Sequence, residues 1–368
     1  MSRMVVDARM LSTGIGTYTQ NVVSRLKACG SIHLCALTLA EHTPKLRPYC
    51  DEVSIVKSHI YSLREQFEIP WQARRGDVLH VPHYNVPVFH AGTLLVSIHD
   101  LTHILDETFR RSLKSRIYAQ PMFRLAASKA AHIFTVSEYS KRQIMEHLNV
   151  PEEKVTVAYN GVSSQFVPEP RDEARSTVNR ELRFSGPYLL YIGNLKPHKN
   201  VSGLIRAFAA LRARGKLDHK LLIVGDDASG RPAMMKLARE HQLNGATVFV
   251  RGITGDLLRT TYCGADITVL PSFEEGFGLP IVESMACGTP VACSSAASMP
   301  EVGGEAAEYF NPHDIESISN ALDHVLMSAD RSREMQMLGA KQAARFSWEV
   351  SARRHFEVYK KFLHNGTA

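Results

Sequence analysis

Two carboxylates and two glycines lie close together in the stretch 271–291 and could bind a nucleotide. Gly276 and Gly278 have no Cβ, so the backbone can come close to a ligand there. Glu275 precedes the glycines, and Glu283 follows among apolar side chains. A partly buried carboxylate needs hydrogen-bond partners, and the neighbouring hydroxyls of a ribose can both donate to one carboxylate.

The same stretch is typical of a loop that runs into a short helix. Pro280 suits a first helical turn, and Gly288 followed by Pro290 ends the helix. Such a first turn presents free amides and the positive end of the helix dipole, which suit a phosphate. The alternative is an ordinary helix start, with Glu275 favoured by the dipole and Glu283 capped by backbone groups.

A lysine and a histidine follow two other apolar strands. Lys199 lies in the segment 193–200, after a strand that ends at Ile192, and could neutralise a diphosphate near a helix start. His99 follows the strand 94–98 and could donate a hydrogen bond to a sugar hydroxyl or a phosphate. The alternatives are a solvent-facing lysine and a histidine that caps the next segment.

The chain begins with a strand, a glycine turn and a helix. The strand covers residues 3–8, Gly14 and Gly16 form the turn, and the helix runs from about Thr17. The turn could admit a substrate or phosphate, or it could serve turn geometry alone. Thr19 stands where a dinucleotide fingerprint needs its third glycine, so NAD binding is weakly supported.

Short apolar strands alternate with helical patterns along both halves of the chain. This alternation predicts mainly parallel sheets covered on both faces, in which ligands bind at the carboxyl ends of the strands. Besides 3–8, the predicted strands are 32–38, 53–56, 78–81, 94–98, 132–136 and 155–158 in the first half, and 187–192, 220–225, 246–250, 266–270 and 290–293 in the second.

Length and composition favour a two-domain globular protein. The chain has 368 residues, of which 44% are hydrophobic and 22% charged, with a net charge of +6. Six scattered cysteines with no Cys-x-x-Cys pair predict reduced core residues in the cytoplasm. We expect no membrane span, because no apolar run reaches about 18 residues.

The stretch 271–291 closely resembles the retaining glycosyltransferases of family four, which use nucleotide sugars. The segment 193–200 resembles their Gly-x-Leu-x-Pro-x-Lys-Asn pattern, and residues 99–101 resemble their His-Asp-Leu segment. The resemblance implies an α/β fold of the GT-B type, with two Rossmann-like doubly wound domains and the active site in the interdomain cleft.

The resemblance also implies the domain boundaries. We expect an N-terminal acceptor-side domain at 1–170, a linker at 171–186 and a C-terminal nucleotide-sugar domain at 187–345. A final helix at 346–368 would cross back to the N-terminal domain. The linker is placed where large apolar residues are few and prolines recur.

Roles for individual residues follow from the same resemblance. His99 would contact the donor sugar or its phosphate, Lys199 the diphosphate, Glu275 a hydroxyl of the donor sugar, and Glu283 the ribose. Further nucleotide-sugar contacts are expected at Gly14, Gly16, Asn194, His198, Arg251, Gly276, Phe277, Gly278 and Leu279.

Asn194 departs from the family pattern, because many relatives carry arginine there. The second positive charge on the diphosphate could then come from His198 or Arg251, or backbone amides could act alone. No Asp-x-Asp pair with metal-binding spacing ends a strand, and no zinc spacing occurs, so we expect neither a metal nor a cofactor.

The expected function is transfer of a hexose from a nucleotide diphosphate to a hydroxyl of a glycan or lipid-linked glycan, with retention of configuration. The motif variants resemble bacterial mannosyltransferases of surface polysaccharide synthesis, so GDP-mannose is the first candidate donor. Family behaviour implies front-face attack, in which the departing phosphate takes the acceptor proton. The alternatives are a GT-B-fold sugar-nucleotide epimerase and a non-catalytic sugar-nucleotide-binding module.

Residues 110–129 carry six basic side chains and no acid. Such a segment is either a solvated helix face or a contact for an anionic membrane or a polyprenyl-diphosphate-linked acceptor. We therefore expect a cytoplasmic protein, peripheral on the membrane if this contact exists, and no nucleic-acid partner. The residues proposed for the contact are Arg110, Arg111, Lys114 and Arg116.

Overall fold

The computed structural model describes residues 3–74, 76–106, 113, 115–215, 217–225 and 230–364. The chain forms two compact units. Unit 1 consists of Met1–Gly161 together with Ser347–Ala368, and unit 2 consists of Val162–Phe346.

Unit 1 contains a parallel sheet of seven strands in the order β3-β2-β1-β4-β5-β6-β7. The strands are β1 Met4–Asp7, β2 Leu34–Thr38, β3 Glu52–Ile55, β4 Val78–Val81, β5 Thr93–Ser97, β6 His132–Thr135 and β7 Val155–Val157. Its α-helices are α1 Gly14–Cys29, α2 Thr43–Leu46, α3 Glu65–Gln72, α4 Thr102–Leu105, α5 Gln120–Lys129, α6 Glu138–Leu148 and, at the end of the chain, α15 Trp348–His364. A π-helical turn at Ser115–Ala119 leads into α5.

Unit 2 contains a parallel sheet of six strands in the order β10-β9-β8-β11-β12-β13. The strands are β8 Tyr188–Ile192, β9 Lys220–Val224, β10 Thr247–Val250, β11 Ile267–Leu270, β12 Val291–Ser294 and β13 Ala307–Phe310. The helices are α7 Arg171–Leu182, α8 Val201–Ala213, α9 Arg231–Glu240, α10 Gly255–Gly264, α11 Leu279–Ala286, α12 Met299–Gly303, α13 Ile315–Met327 and α14 Ala329–Ala343.

Each sheet is buried because its central strands are almost continuously apolar. Every residue of β1, β4 and β11 is buried, as expected for parallel strands covered on both faces. The helices supply the cover. In unit 2, for example, Leu204, Phe208 and Leu211 of α8 join the core that contains Leu189 and Leu221 of the sheet.

Each sheet has one point at which the order of its strands reverses. In unit 1 the chain fills one side of β1 with β2 and β3, then returns to the other side with β4. In unit 2 it does the same around β8, with β11 on the second side. Ligands of open α/β sheets bind beside such reversals, at the carboxyl ends of the strands.

Residues 171–186 are not a linker, because their first part is helix α7 of unit 2. Ala174 and Val178 are four residues apart, so they share one helix face, and both are buried. Arg175 of the same helix donates to Asp266 across 2.6 Å. Two small apolar residues at helical spacing, together with this ion pair, therefore hold α7 on unit 2, although large apolar residues are few.

The final helix α15 belongs to unit 1. Trp348 and Tyr359 are fully buried, and the Tyr359 hydroxyl lies 2.6 Å from Nδ1 of His80. A Cβ on Gly30 would come within 2.4 Å of the Phe356 ring, so a glycine is required where α1 ends beside α15. His80 is thus a structural histidine.

Candidate active site

The segments that hold Lys199 and Glu275 leave neighbouring strands of unit 2. Strands β8 and β11 are paired in parallel, so the loops that follow them start from the same edge of the sheet. The backbone N–H of Phe273 donates to the carbonyl of His198 across 2.8 Å and ties the two loops together. This is the reversal point of the sheet, where a ligand is expected.

Lys199 and Glu275 form an ion pair at this edge. Their side chains are 16% and 13% exposed, so most of the pair is withdrawn from water. The Ser298 hydroxyl donates to the backbone carbonyl of Glu275 across 2.8 Å and fixes the carboxylate-bearing segment. An ammonium has three protons and a carboxylate can accept several, so both partners keep capacity for a ligand.

The glycine turn delivers the chain into helix α11. Gly278 has φ 89° and ψ 57°, the left-handed conformation that glycine adopts most easily, and it is the residue before the helix. Pro280 lies in the first turn, where its missing N–H leaves no bond unmade. Phe277 is buried, with its ring 5.3 Å from that of Phe346, so its side chain serves packing.

Glu283 projects from α11 and accepts a hydrogen bond from the Tyr262 hydroxyl across 2.8 Å. Desolvation raises the pKa of Glu283 to about 7, and the Tyr262 bond lowers it only part of the way back. Tyr262 is fully buried on helix α10, and its backbone carbonyl accepts from Thr289. Nothing in the local sequence indicates this role of Tyr262, because a core tyrosine and one that positions a carboxylate have the same local pattern.

Asn194 acts as a turn residue rather than as a replacement for arginine. Its side-chain oxygen accepts the backbone N–H of Lys196 across 3.2 Å, and its carbonyl accepts the Tyr191 hydroxyl across 2.6 Å. His198 is buried within the same loop. Arg251 is exposed and follows β10, two strands away from β8 in the sheet.

His99 follows β5 in unit 1 and differs from the expectation in one respect. Its Nε2 lies 3.1 Å from the carbonyl of Pro82, which can only accept, so the Nε2 proton is donated there. Burial lowers the pKa of His99, so the ring is neutral near pH 7 and its Nδ1 is an acceptor. In the empty protein the neutral ring can therefore accept the proton of a hydroxyl through Nδ1, whereas the sequence suggested that it could donate.

The structure corrects the predicted glycine turn: α1 begins at Gly14 rather than at about Thr17, because Thr13 caps it by accepting the Gly16 N–H, and both glycines lie in its first turn. The two glycines differ from each other. A Cβ on Gly16 would stand 2.4 Å from the backbone of Leu11, so Gly16 is required by packing. Gly14 is exposed, and a Cβ there would meet nothing within 4 Å. Only Gly14 leaves room for a ligand.

The basic segment is described only in part. Arg116 is exposed, as are the apolar side chains of Leu113 and Ile117. Arg110, Arg111 and Lys114 lie outside the described residues.

In the described part of the chain, no three His, Cys, Asp or Glu residues form a group that could hold a metal ion. No helix described here is both long and apolar enough to cross a membrane.

Comparison with known families assigns both halves of the chain. Residues 177–342 match the family of glycosyl transferases group 1, and residues 12–166 match Glycosyltransferase Family 4. The first match contains Lys199, Glu275 and Glu283, and the second contains His99. The chain is a glycosyltransferase, with a Family 4 half followed by a group 1 half.

Relatives of this glycosyltransferase agree with the assignment. It is 27% identical over 371 residues to the O-antigen chain mannosyltransferase B of Escherichia coli, covering 95% of this chain and 96% of that one. It is also 27% identical over 275 residues to the serotype-specific mannosyltransferase WbdA of E. coli, covering 72% of this chain but only 33% of that one. A sucrose-phosphate synthase structure from Thermosynechococcus elongatus has a TM-score of 0.80 at 19% identity, covering 99% and 100% of the two chains, which shows the GT-B fold.

Proposed function

We propose that the chain transfers mannose from GDP-mannose to a hydroxyl of a glycan, with retention of the anomeric configuration, in bacterial surface polysaccharide synthesis. The Lys199–Glu275 pair beside the start of α11 carries the proposal, because it combines a cation for a diphosphate with a carboxylate for a sugar hydroxyl. The two mannosyltransferase relatives support the choice of sugar.

In this proposal unit 2 binds the nucleotide part of the donor. Glu283 accepts hydrogen bonds from the ribose diol, since a carboxylate has room for both hydroxyls besides the Tyr262 bond. The first turn of α11 and Lys199 stabilise the diphosphate, whose negative charge grows as it departs. Backbone amides supply the remaining hydrogen bonds to the diphosphate, because the side chain of Asn194 is engaged in its own turn.

The chemical step follows from what the carboxylates can do. Retaining glycosidases use a carboxylate nucleophile, whereas Glu275 is assigned here to a hydroxyl of the donor sugar and Glu283 to the ribose, so neither is placed as a nucleophile. We therefore favour front-face attack, in which the acceptor oxygen bonds to the anomeric carbon as the bond to the diphosphate breaks. The departing phosphate oxygen takes the acceptor proton, so no protein base and no metal or other cofactor is needed.

His99 is proposed to contact the donor in its neutral form. Because its Nε2 proton is donated to Pro82, its Nδ1 is suited to accept a hydroxyl proton of the sugar. A phosphate oxygen carries no such proton near pH 7 and would suit this nitrogen poorly. The proposed partner of His99 is therefore a sugar hydroxyl.

The acceptor is proposed to be a glycan carried on a polyprenyl diphosphate, reached by peripheral contact with the inner face of the membrane. Exposed apolar side chains support this: Leu63, Phe67 and Trp71 recur every four residues and are 87%, 66% and 79% exposed. The Phe67 and Phe89 rings lie 5.1 Å apart, so the apolar patch extends to a second segment. Lys129 donates to the carbonyl of His90, so a basic side chain lies beside Phe89, and aromatic side chains beside basic ones suit an anionic lipid surface.

Isothermal titration of the full chain with GDP, UDP and ADP tests the donor assignment. We expect GDP to bind most tightly and the Glu283→Ala variant to bind it more weakly. Tighter binding of UDP or ADP would contradict GDP-mannose as the donor. Tight GDP binding without turnover of GDP-mannose, with any glycan acceptor, would favour a non-catalytic binding module.

A further inference from the structure

A group of tyrosines lies at the point where the strand order of unit 1 reverses. The segment after β4 contains His83, Tyr84 and Asn85, and β4 is the strand on the second side of β1. Tyr61 and Tyr118 join them, with ring centroids 5.8 Å apart. Open α/β sheets bind ligands at such a reversal point. The tyrosines belong to none of the family motifs at 99–101, 193–200 and 271–291.

Tyr61 is held in a conformation that an ordinary loop residue avoids. Its φ is 68°, in the left-handed region, which is unfavourable for a non-glycine residue. Its backbone N–H donates to Glu65 across 2.9 Å. More than half of the Tyr61 side chain is exposed, so the constraint presents an aromatic ring to the solvent.

The support beneath Tyr61 is a buried network of charges and amides. Glu65 also accepts from Asn85 across 2.8 Å and pairs with Arg9 across 3.0 Å. Arg9 is in turn bonded to Asp7 at the end of β1 across 2.6 Å. Tyr118 donates to the side-chain oxygen of Asn85. Tyr61 and Tyr118 are therefore held from below by this buried network.

The hydroxyls of this group have one more hydrogen-bond donor than there are acceptors within the group. The backbone N–H of Asn85 donates to Nδ1 of His83 across 3.0 Å, and burial lowers the pKa of His83 to about 3. The neutral ring then carries its proton on Nε2 and donates it to the Tyr61 oxygen, 3.2 Å away. The hydroxyls of Tyr61 and Tyr84 lie 3.3 Å apart, and one of them donates a hydrogen bond to the other.

One of the two tyrosine protons therefore remains for a ligand, whichever hydroxyl donates between them. Among the residues that the structure describes, no other acceptor bonds to the hydroxyl of Tyr61 or Tyr84. The charges nearby do not favour an anion, because Arg9 is flanked by the two carboxylates of Asp7 and Glu65. Exposed ring surface together with a neutral donor suits a polyhydroxy ligand with an apolar face, which describes a pyranose.

We propose that Tyr61, Tyr84 and Tyr118 form a subsite for one hexose ring of the acceptor glycan. The proposal rests on the proposed glycan acceptor. The apolar face of the sugar packs on Tyr61, and the spare tyrosine proton is donated to a sugar oxygen. His83 and Asn85 are positioning residues, because they act through the tyrosines. The subsite begins beside the Pro82 carbonyl that accepts from His99, which brings the acceptor ring near the histidine proposed to contact the donor.

Three variants of the full chain separate this subsite from the donor site. Tyr84→Phe removes a hydroxyl and keeps the ring, and Tyr61→Ala removes the ring. Tyr49→Phe is the matched control, because Tyr49 is an exposed tyrosine of the same unit outside the group. The probe is α-linked mannobiose, observed by saturation-transfer NMR with GDP present and as an acceptor with GDP-mannose.

We expect the acceptor KM to rise about fivefold in Tyr84→Phe and about tenfold or more in Tyr61→Ala, with saturation transfer to the sugar lost in the latter. GDP affinity and the Tyr49→Phe kinetics should match the wild type. Unchanged acceptor KM and saturation transfer in both variants would overturn the subsite. Failure of the wild type to bind GDP or UDP would instead contradict the proposed function.

Discussion

The Glu283 carboxyl is stable as an acid in the empty protein, but a ribose needs it as an anion. Its pKa is raised to about 7 because burial desolvates it, although the Tyr262 hydrogen bond opposes this, and in the unfolded chain the ordinary value is 4.5. Its contribution to stability is therefore fully present below pH 4.5 and is lost as the pH rises through 7. Hydrogen bonds from a ribose diol favour the charged form and reverse this preference.

A pH series on Glu283→Gln tests this conflict. At pH 8 we expect the empty variant to be more stable than the wild type by about 1–3 kcal/mol, since it need not bury a charge. At pH 4 the two should differ little. Thermal unfolding at both pH values measures the difference, and equal stability at pH 8 would contradict the raised pKa.

Substitutions of the two carboxylates, Glu283 and Glu275, should have different effects on binding and turnover. Glu283→Ala removes the proposed ribose contact and should weaken nucleotide binding by about 1–3 kcal/mol. Glu275→Gln keeps a polar group but releases Lys199 from its ion pair, so it should mainly lower kcat. Titration with the nucleotide and steady-state kinetics separate the two effects. Unchanged nucleotide affinity in Glu283→Ala would show that the ribose assignment is wrong.

Among the elements of unit 1, the first turn of α1 separates packing from ligand access, because it contains both Gly14 and Gly16. A Cβ on Gly16 would lie 2.4 Å from Leu11 backbone atoms, whereas Gly14 has open space around it. We expect Gly16→Ala to lower the unfolding free energy by about 1–3 kcal/mol through overpacking. Gly14→Ala is the matched control and should unfold like the wild type. Equal unfolding curves for both variants would contradict the packing role of Gly16.

The sequence predicted most strands, because buried parallel strands are continuous apolar runs. It missed β13, Ala307–Phe310, where two of the four residues are only partly buried and the apolar run is weak. It also mistook helix α7 for a linker, because that helix is held by Ala174 and Val178 with Arg175 pairing to Asp266. Such contacts are set by the tertiary structure and leave little local pattern.

The site residues were predictable to the extent that they lie in motifs. The sequence indicated Lys199, Glu275 and Glu283, but not that the first two form an ion pair. The hydrogen bond from Tyr262 and the donation of the His99 proton to Pro82 depend on groups distant in sequence. Local spacing cannot encode such partners, so it could not indicate which ring nitrogen of His99 carries the proton.

At the scale of the whole molecule, peripheral membrane contact is proposed for unit 1. We expect replacement of Arg110, Arg111, Lys114 and Arg116 by serine to lower sedimentation with anionic liposomes, since each basic residue can contribute about 1 kcal/mol near such a surface. GDP affinity should not change, because the nucleotide groups belong to unit 2.

The matched control removes the same charge from exposed positions on helices of unit 2. It replaces Arg206, Lys236, Arg239 and Lys341 by serine. This control should sediment with liposomes like the wild type. Equal liposome binding by all three proteins, at low and at high salt, would contradict a membrane role for the basic segment.

We expect the chain to transfer the sugar of a nucleoside diphosphate with retention and without a metal. The most direct measurement incubates the full chain with GDP-mannose and a mannose oligosaccharide in excess chelator, and reads the new linkage by NMR. We expect an α-mannoside, which keeps the configuration of the donor, and we expect its yield to fall in Lys199→Ala. A β-mannoside, or activity that is lost in chelator and restored by magnesium or manganese, would contradict the account.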